Sequence, residues 1–177
     1  IIVFGSSRTK DRAHLQEAEE LGRRLAECGY RVGSGGYRAV MNAVSKGAHE
    51  AGGDVIGYLN DAFVDVAPSP WLDERRANPD LLLRMRQMLQ EGDGFVATWG
   101  GIGTLSEVTT TWSLGQVSAD QVAPVKPLVL LGGHWQPLVR DIGAYTEIGS
   151  RMLTYPTLVE SVEEAAAYLR KTVPPAR

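Results

Sequence analysis

Hydrophobic and polar positions alternate along this chain in two rhythms. Short apolar runs at Ile1–Phe4, Tyr30–Gly33, Asp54–Leu59, Gly94–Ala97, Pro127–Leu131 and Thr157–Glu160 predict buried strands. Between them lie stripes of helical period. Leu15, Ala18, Leu21, Leu25 and Ala26 predict a helix over Asp11–Cys28, stopped by Gly29. Val40, Met41, Val44 and Ala48 predict another over Tyr37–Ala51. Asn78-Pro79 predicts a helix start, with Leu81, Leu82, Met85, Met88 and Leu89 as its buried stripe. Further helices are expected from Thr104 to about Gly115, with Trp112 and Leu114 in the core, and from Trp135 to Tyr145. A last helix follows the capping pattern Ser161-Val162-Glu163-Glu164 and ends before Pro174-Pro175. The order β-α-β-α-β predicts a doubly wound, mainly parallel α/β sheet with helices on both faces, in one domain over residues 1–177. Asn60–Ala77 lacks periodicity and reads as a surface loop at a pocket mouth or as a plain connector. Val117–Lys126 reads as a polar connector.

Three glycine- and serine-rich turns follow predicted strands: Gly5-Ser6-Ser7, Ser34-Gly35-Gly36 and Gly100-Gly101-Ile102-Gly103. In a parallel sheet all three fall at the carboxyl edge, where ligands bind. The third turn runs into a helix, so unpaired N–H groups at the helix start would face a phosphate across side-chain-free backbone. Glu107 lies three residues after Thr104 and has two readings. The pair could form a capping box, worth about 1 kcal/mol. Alternatively, the carboxylate could act on a part of the ligand other than its phosphate. Gly5-Ser6-Ser7-Arg8 does not fit G-x-G-x-x-G, which argues against NAD or FAD and for a mononucleotide.

Composition narrows this little. A net charge of −3 over 177 residues offers no basic field for nucleic acid. No apolar run approaches the length of a membrane span, and Ile1–Phe4 lacks the charged flank of a signal peptide. The absent initiating Met suggests that a few residues precede Ile1. Cys28 is the single cysteine, so no internal disulfide is expected and the protein is expected to be cytoplasmic. His14, His49 and His134 show no ligand spacing, so no metal site is expected.

Gly100-Gly101-Ile102-Gly103-Thr104-Leu105-Ser106-Glu107 resembles the GGxGTxxE signature of the LOG ("Lonely Guy") family. The usual signature opens with proline, where this chain has Trp99. Gly35-Gly36-Tyr37-Arg38-Ala39-Val40-Met41-Asn42 resembles the family's second motif, with Ala39 and Asn42 in place of glycines, a change expected to reshape the base pocket. Arg84 and Arg86 flank the apolar stripe of their helix on opposite sides, and periodicity does not choose between them. The resemblance chooses Arg84, with Met85 in place of the family's lysine.

LOG proteins cleave the N-glycosidic bond of nucleoside 5′-monophosphates. The resemblance therefore implies hydrolysis of AMP or an N6-substituted AMP, such as a cytokinin nucleotide, to free base and ribose 5-phosphate, without a cofactor. It implies catalytic roles for Glu107 and Arg84. It implies a phosphate and substrate cradle of Gly100, Gly101, Gly103 and Thr104 with Gly5, Ser6, Ser7, Gly35, Gly36 and Met41. It also implies a homodimer or larger homo-oligomer. The alternative is a non-catalytic nucleotide or molybdopterin-type carrier, kept open by Trp99 and Met85. The family label "possible lysine decarboxylase" would require pyridoxal phosphate on a lysine. None of Lys10, Lys46, Lys126 and Lys171 falls in the pocket turns.

Overall fold

The computed structural model describes residues 1–120 and 125–175. In chain order the elements are β1 (Ile2–Phe4), α1 (Arg12–Glu27), β2 (Val32–Ser34), α2 (Val40–Glu50), β3 (Val55–Asn60), β4 (Glu74–Asn78), α3 (Leu81–Glu91), β5 (Phe95–Ala97), α4 (Ile102–Asp120), β6 (Leu128–Leu131), α5 (Trp135–Tyr145), α6 (Ser150–Leu153), β7 (Pro156–Val159) and α7 (Val162–Thr172). The seven strands form one parallel sheet in the order β4-β3-β2-β1-β5-β6-β7. This is the doubly wound α/β fold that the alternation predicts.

β1, β5 and β6 are apolar throughout because both of their faces are covered. Side chains alternate between two cores. Val3, Val96, Val129 and Leu131 join one layer with Ala18, Leu21 and Leu25 of α1, Val40 and Val44 of α2, and Leu169 of α7. Ile2, Phe4, Phe95, Ala97, Leu128 and Leu130 join the other with Met88 of α3, Val108 and Trp112 of α4, and Trp135 of α5. The strand order reverses between β1 and β5. Their carboxyl ends open a crevice there, the usual ligand position in such sheets.

Asn60–Ala77 is not all loop: it contains all but the last residue of β4, whose sequence Glu-Arg-Arg-Ala-Asn carries no apolar run. β4 is an edge strand, where charged side chains discourage further pairing. Asn78 does not cap α3. It closes β4, its amide donating to Gln87 Oε1 at 2.9 Å, and Pro79 keeps it extended. Asp80 is the cap, and its Oδ1 accepts from the N–H groups of Leu82 and Leu83 at 2.8 Å. Leu81 and Leu82 are exposed, not buried, and so is Leu114. α4 extends to Asp120 and takes in the start of the expected Val117–Lys126 connector, part of which lies outside the described residues. Ser161 caps α7 as predicted, accepting from Glu164 N at 3.2 Å. Among the described residues, no helix is long and apolar enough to cross a membrane.

Candidate active site

The three turns meet where the strand order implies. Thr98 N donates to Phe4 O at 3.0 Å, Ser6 N to Trp99 O at 2.9 Å, and Val40 N to Ser6 O at 3.0 Å. The turns after β1 and β5 and the start of α2 are thereby sewn together by backbone. Ser6 Oγ accepts from Arg8 N and Thr9 N, both at 3.0 Å, and so fixes its own turn. Gly5 packs tightly between Val40 and Thr98, a structural role. Ser7 is exposed.

The glycine loop differs from expectation in detail. α4 starts at Ile102, two residues before the predicted Thr104, and Leu105 N already bonds Gly101 O at 2.9 Å. Gly101 therefore occupies the cap position, and the N–H groups of Ile102, Gly103 and Thr104 belong to the unpaired first turn. Thr104 is buried, its side chain folded over Gly100 where any Cβ would clash with it. Nothing lies within 4 Å of a Cβ built at Gly101 or Gly103, so that side of the loop is open.

Because Thr104 is not the cap, the Thr104–Glu107 capping box does not form. The Glu107 carboxylate has no hydrogen-bond partner among the described residues. It keeps a partly accessible surface, yet protein surrounds it closely. That desolvation pushes its pKa up to about 7, against the opposing charge of Arg84. A carboxyl titrating near neutrality that feels a guanidinium's charge without being ion-paired to it marks a candidate functional group.

Arg84 is buried and Arg86 exposed, which separates two arginines that periodicity could not. Arg84 Nε donates to Tyr58 O at 2.6 Å. Its guanidinium lies over Gly35, and Met41 Sδ would be 2.5 Å from a Cβ at that glycine. Burial lowers the arginine's pKa, while Glu107 and then Tyr37 raise it. The structure thus brings Arg84, Glu107, Gly35 and Met41 into one neighbourhood. Gly36 is held by Ser34 Oγ, which accepts its N–H at 3.1 Å.

Three features escape sequence reasoning. Tyr37 exchanges hydrogen bonds with the Asn60 backbone, donating to O at 3.1 Å and accepting from N at 2.8 Å, beside Arg84. Its place within the Gly35-Gly36-Tyr37 turn was the available signal. Asn42 anchors the segment after β3: its Oδ1 accepts from Ser69 Oγ at 3.0 Å, while Ser69 N donates to Gly36 O at 2.9 Å. Trp99 stacks on both His14 and His134, with ring centroids 4.5 and 3.7 Å away, and nothing in the sequence pairs these residues. Lys46 pairs with Glu19, and Lys126 donates to Leu89 O and Gln90 O, so both are engaged elsewhere.

A family model described as "Possible lysine decarboxylase" matches residues 41–171. Cytokinin riboside 5′-monophosphate phosphoribohydrolase LOG3 of Arabidopsis thaliana is 29% identical over 176 residues, 97% of this chain and 80% of that protein. The cytokinin riboside 5′-monophosphate phosphoribohydrolase of Rhodococcoides fascians is 33% identical over 135 residues, 72% of this chain and 65% of that protein. The chain spans about three-fifths of the length of its rice relatives LOGL2 and LOGL5. The X-ray structure of TM1055 superposes with a TM-score of 0.77 at 30% identity, covering 96% of this chain and 97% of that one. The molybdenum cofactor binding protein from Rippkaea orientalis gives 0.77 at 24% identity, covering 96% and 94%, a likeness of fold.

Proposed function

The chain belongs to the LOG, or "possible lysine decarboxylase", family, and from that premise we propose that it hydrolyses the N-glycosidic bond of a nucleoside 5′-monophosphate, AMP or an N6-substituted AMP. The products are the free base and ribose 5-phosphate. The observation that carries this reading is Glu107: a desolvated carboxyl with no helix-capping duty, within the electrostatic reach of Arg84 and one helical turn from an open glycine loop.

In this reading the first-turn N–H groups of α4 take the phosphate. The ribose then lies over the following turn, toward Glu107. Breaking the C1′–N bond builds positive charge on the sugar, as in glycoside hydrolysis. Ionised Glu107 stabilises that charge more in the transition state than in the ground state. Water adds its oxygen to C1′ and gives up a proton, the C1′–N electron pair leaves with the base, and the base is protonated. Arg84 favours the ionised carboxylate and positions the nucleotide.

The test is incubation with AMP and with isopentenyladenosine monophosphate, with the released base read by chromatography. Base release that disappears in Glu107→Ala supports the reading. Tight nucleotide binding without turnover would favour the carrier alternative instead. The family relatives are named for a hydrolase activity, and that weighs toward catalysis.

A homodimer belongs to the same proposal. Leu81, Leu82 and Leu83 expose an apolar strip on the first turn of α3, and Ile102 is 83% exposed at the start of α4. Exposed apolar side chains at the starts of these two helices suit a second copy of the chain.

A further inference from the structure

Little holds the entry to the glycine loop ahead of the first turn of α4. Gly100, Gly101 and Gly103 carry no side chains, and a glycine backbone loses more freedom on ordering than any other. The loop's geometry therefore depends on its two ends. One end is Thr104, packed over Gly100 at the start of α4. The other is Trp99. A proline at this position would fix its own backbone angle. Trp99 has no such ring and must be held from outside.

Contacts from the ends of β1 and β6, the two strands flanking β5, supply that hold. His14, near the start of α1 after β1, stacks on the indole at 4.5 Å with planes 19° apart. His134, between β6 and α5, stacks on it at 3.7 Å and 18°. The Trp99 carbonyl accepts Ser6 N–H at 2.9 Å. Gly132, with φ of 106°, turns the chain so that the His134 ring fits: a Cβ there would lie 2.9 Å from Nδ1. The stack persists at a cost. Both ring nitrogens of His134 are enclosed without a hydrogen-bond partner. Burial, and then the charge of His14, push its pKa down to about 4. A costly arrangement kept at a ligand-facing edge is a mark of function.

We infer that Trp99, clamped by His14 and His134, is a positioning residue that sets the Gly100–Thr104 loop for the 5′-phosphate. The inference rests on the phosphate-cradle reading of that loop. Trp99 acts through the backbone of Gly100 and does not touch the base, so its loss weakens phosphate recognition selectively. Preorganising the loop removes part of the ordering cost at binding.

Calorimetry with ribose 5-phosphate, and separately with adenosine, tests it. Removing two aromatic contacts sets the scale at about tenfold in affinity. Trp99→Ala is expected to weaken ribose 5-phosphate binding by that factor and to leave adenosine binding in place. Trp99→Phe, which keeps a ring in the stack, recovers most of the loss. His14→Ala, a change on a half-buried helix surface, shifts ribose 5-phosphate affinity in the same direction and carries the test if Trp99→Ala does not fold. Unchanged ribose 5-phosphate affinity in these variants overturns the inference while the cradle stands. Equal weakening of both ligands also overturns it, because the stack would then be merely structural. Wild-type protein that binds adenosine but not ribose 5-phosphate overturns the cradle reading, and the inference with it.

Discussion

The guanidinium of Arg84 occupies the space that any side chain at Gly35 would need. Arg84 cannot swing aside freely, because its Nε–H is committed to Tyr58 O. The glycine just after β2 thus serves an arginine on α3, not only a turn. Gly35→Ala is expected to move the guanidinium and lower kcat/KM for AMP by on the order of tenfold to a hundredfold. The effect runs through Arg84, so the double variant Gly35→Ala/Arg84→Met should be no worse than Arg84→Met alone. Steady-state kinetics of the three proteins checks this. Additive losses would separate the two residues.

Glu107 makes the proposed reaction pH-dependent. With its pKa at about 7 in the free protein, the carboxylate needed for catalysis forms as pH rises. kcat/KM should climb through about pH 7 and level off above it. Arg84 holds this pKa down, so Arg84→Met should move the midpoint upward. A profile flat from pH 5 to 9 would show that Glu107 ionisation does not control the rate.

The same group has a stability signature of definite sign. Its folded pKa is raised above the unfolded value, so the folded state binds the proton more tightly. Its contribution is fully present below about pH 4.5 and is lost as pH rises through about 7. Glu107→Gln removes that loss. The variant should be inactive yet more stable than wild type at pH 8, by on the order of 1–3 kcal/mol, with no such gain at pH 4. Urea denaturation at the two pH values measures it.

Ala39 stands at φ 51° and ψ −120°, immediately before α2, where the family motif has glycine. An L-residue is strained there and glycine is not. Ala39→Gly should raise stability by about 1 kcal/mol, seen as a higher urea midpoint at unchanged slope. A lower midpoint would mean that the chain adapts to the alanine without strain.

What the sequence made legible follows from where physical signals are local. β1, β5 and β6 announce themselves because both faces are buried and every position is apolar. β4 does not, because an edge strand needs backbone pairing and not apolar side chains. The glycine loop was visible as spacing. The start of α4 was not, because Thr104 resembles a cap but spends its side chain on Gly100. Arg84 and Arg86 were equivalent by periodicity; the family resemblance points to Arg84, and the depth of α3 against β3 buries it. The His14–Trp99–His134 stack joins residues from three distant segments, and no local pattern encodes it.

The exposed leucines at the start of α3 suit a second copy of the chain. Asp80 caps this helix, so its first turn is rigidly presented. Leu82 is 74% exposed there, flanked by Leu81 and Leu83. Covering one leucine is worth about 1.5–3 kcal/mol, and a two-fold axis would count each contact twice. Leu82→Asp places an unpaired charge at the centre of such an interface and should shift sedimentation from dimer to monomer. Because the residue is exposed in the single chain, the urea midpoint of the isolated monomer should barely change. A wild-type protein that sediments as a monomer at high concentration would remove the second copy from the proposal and leave the strip without a partner.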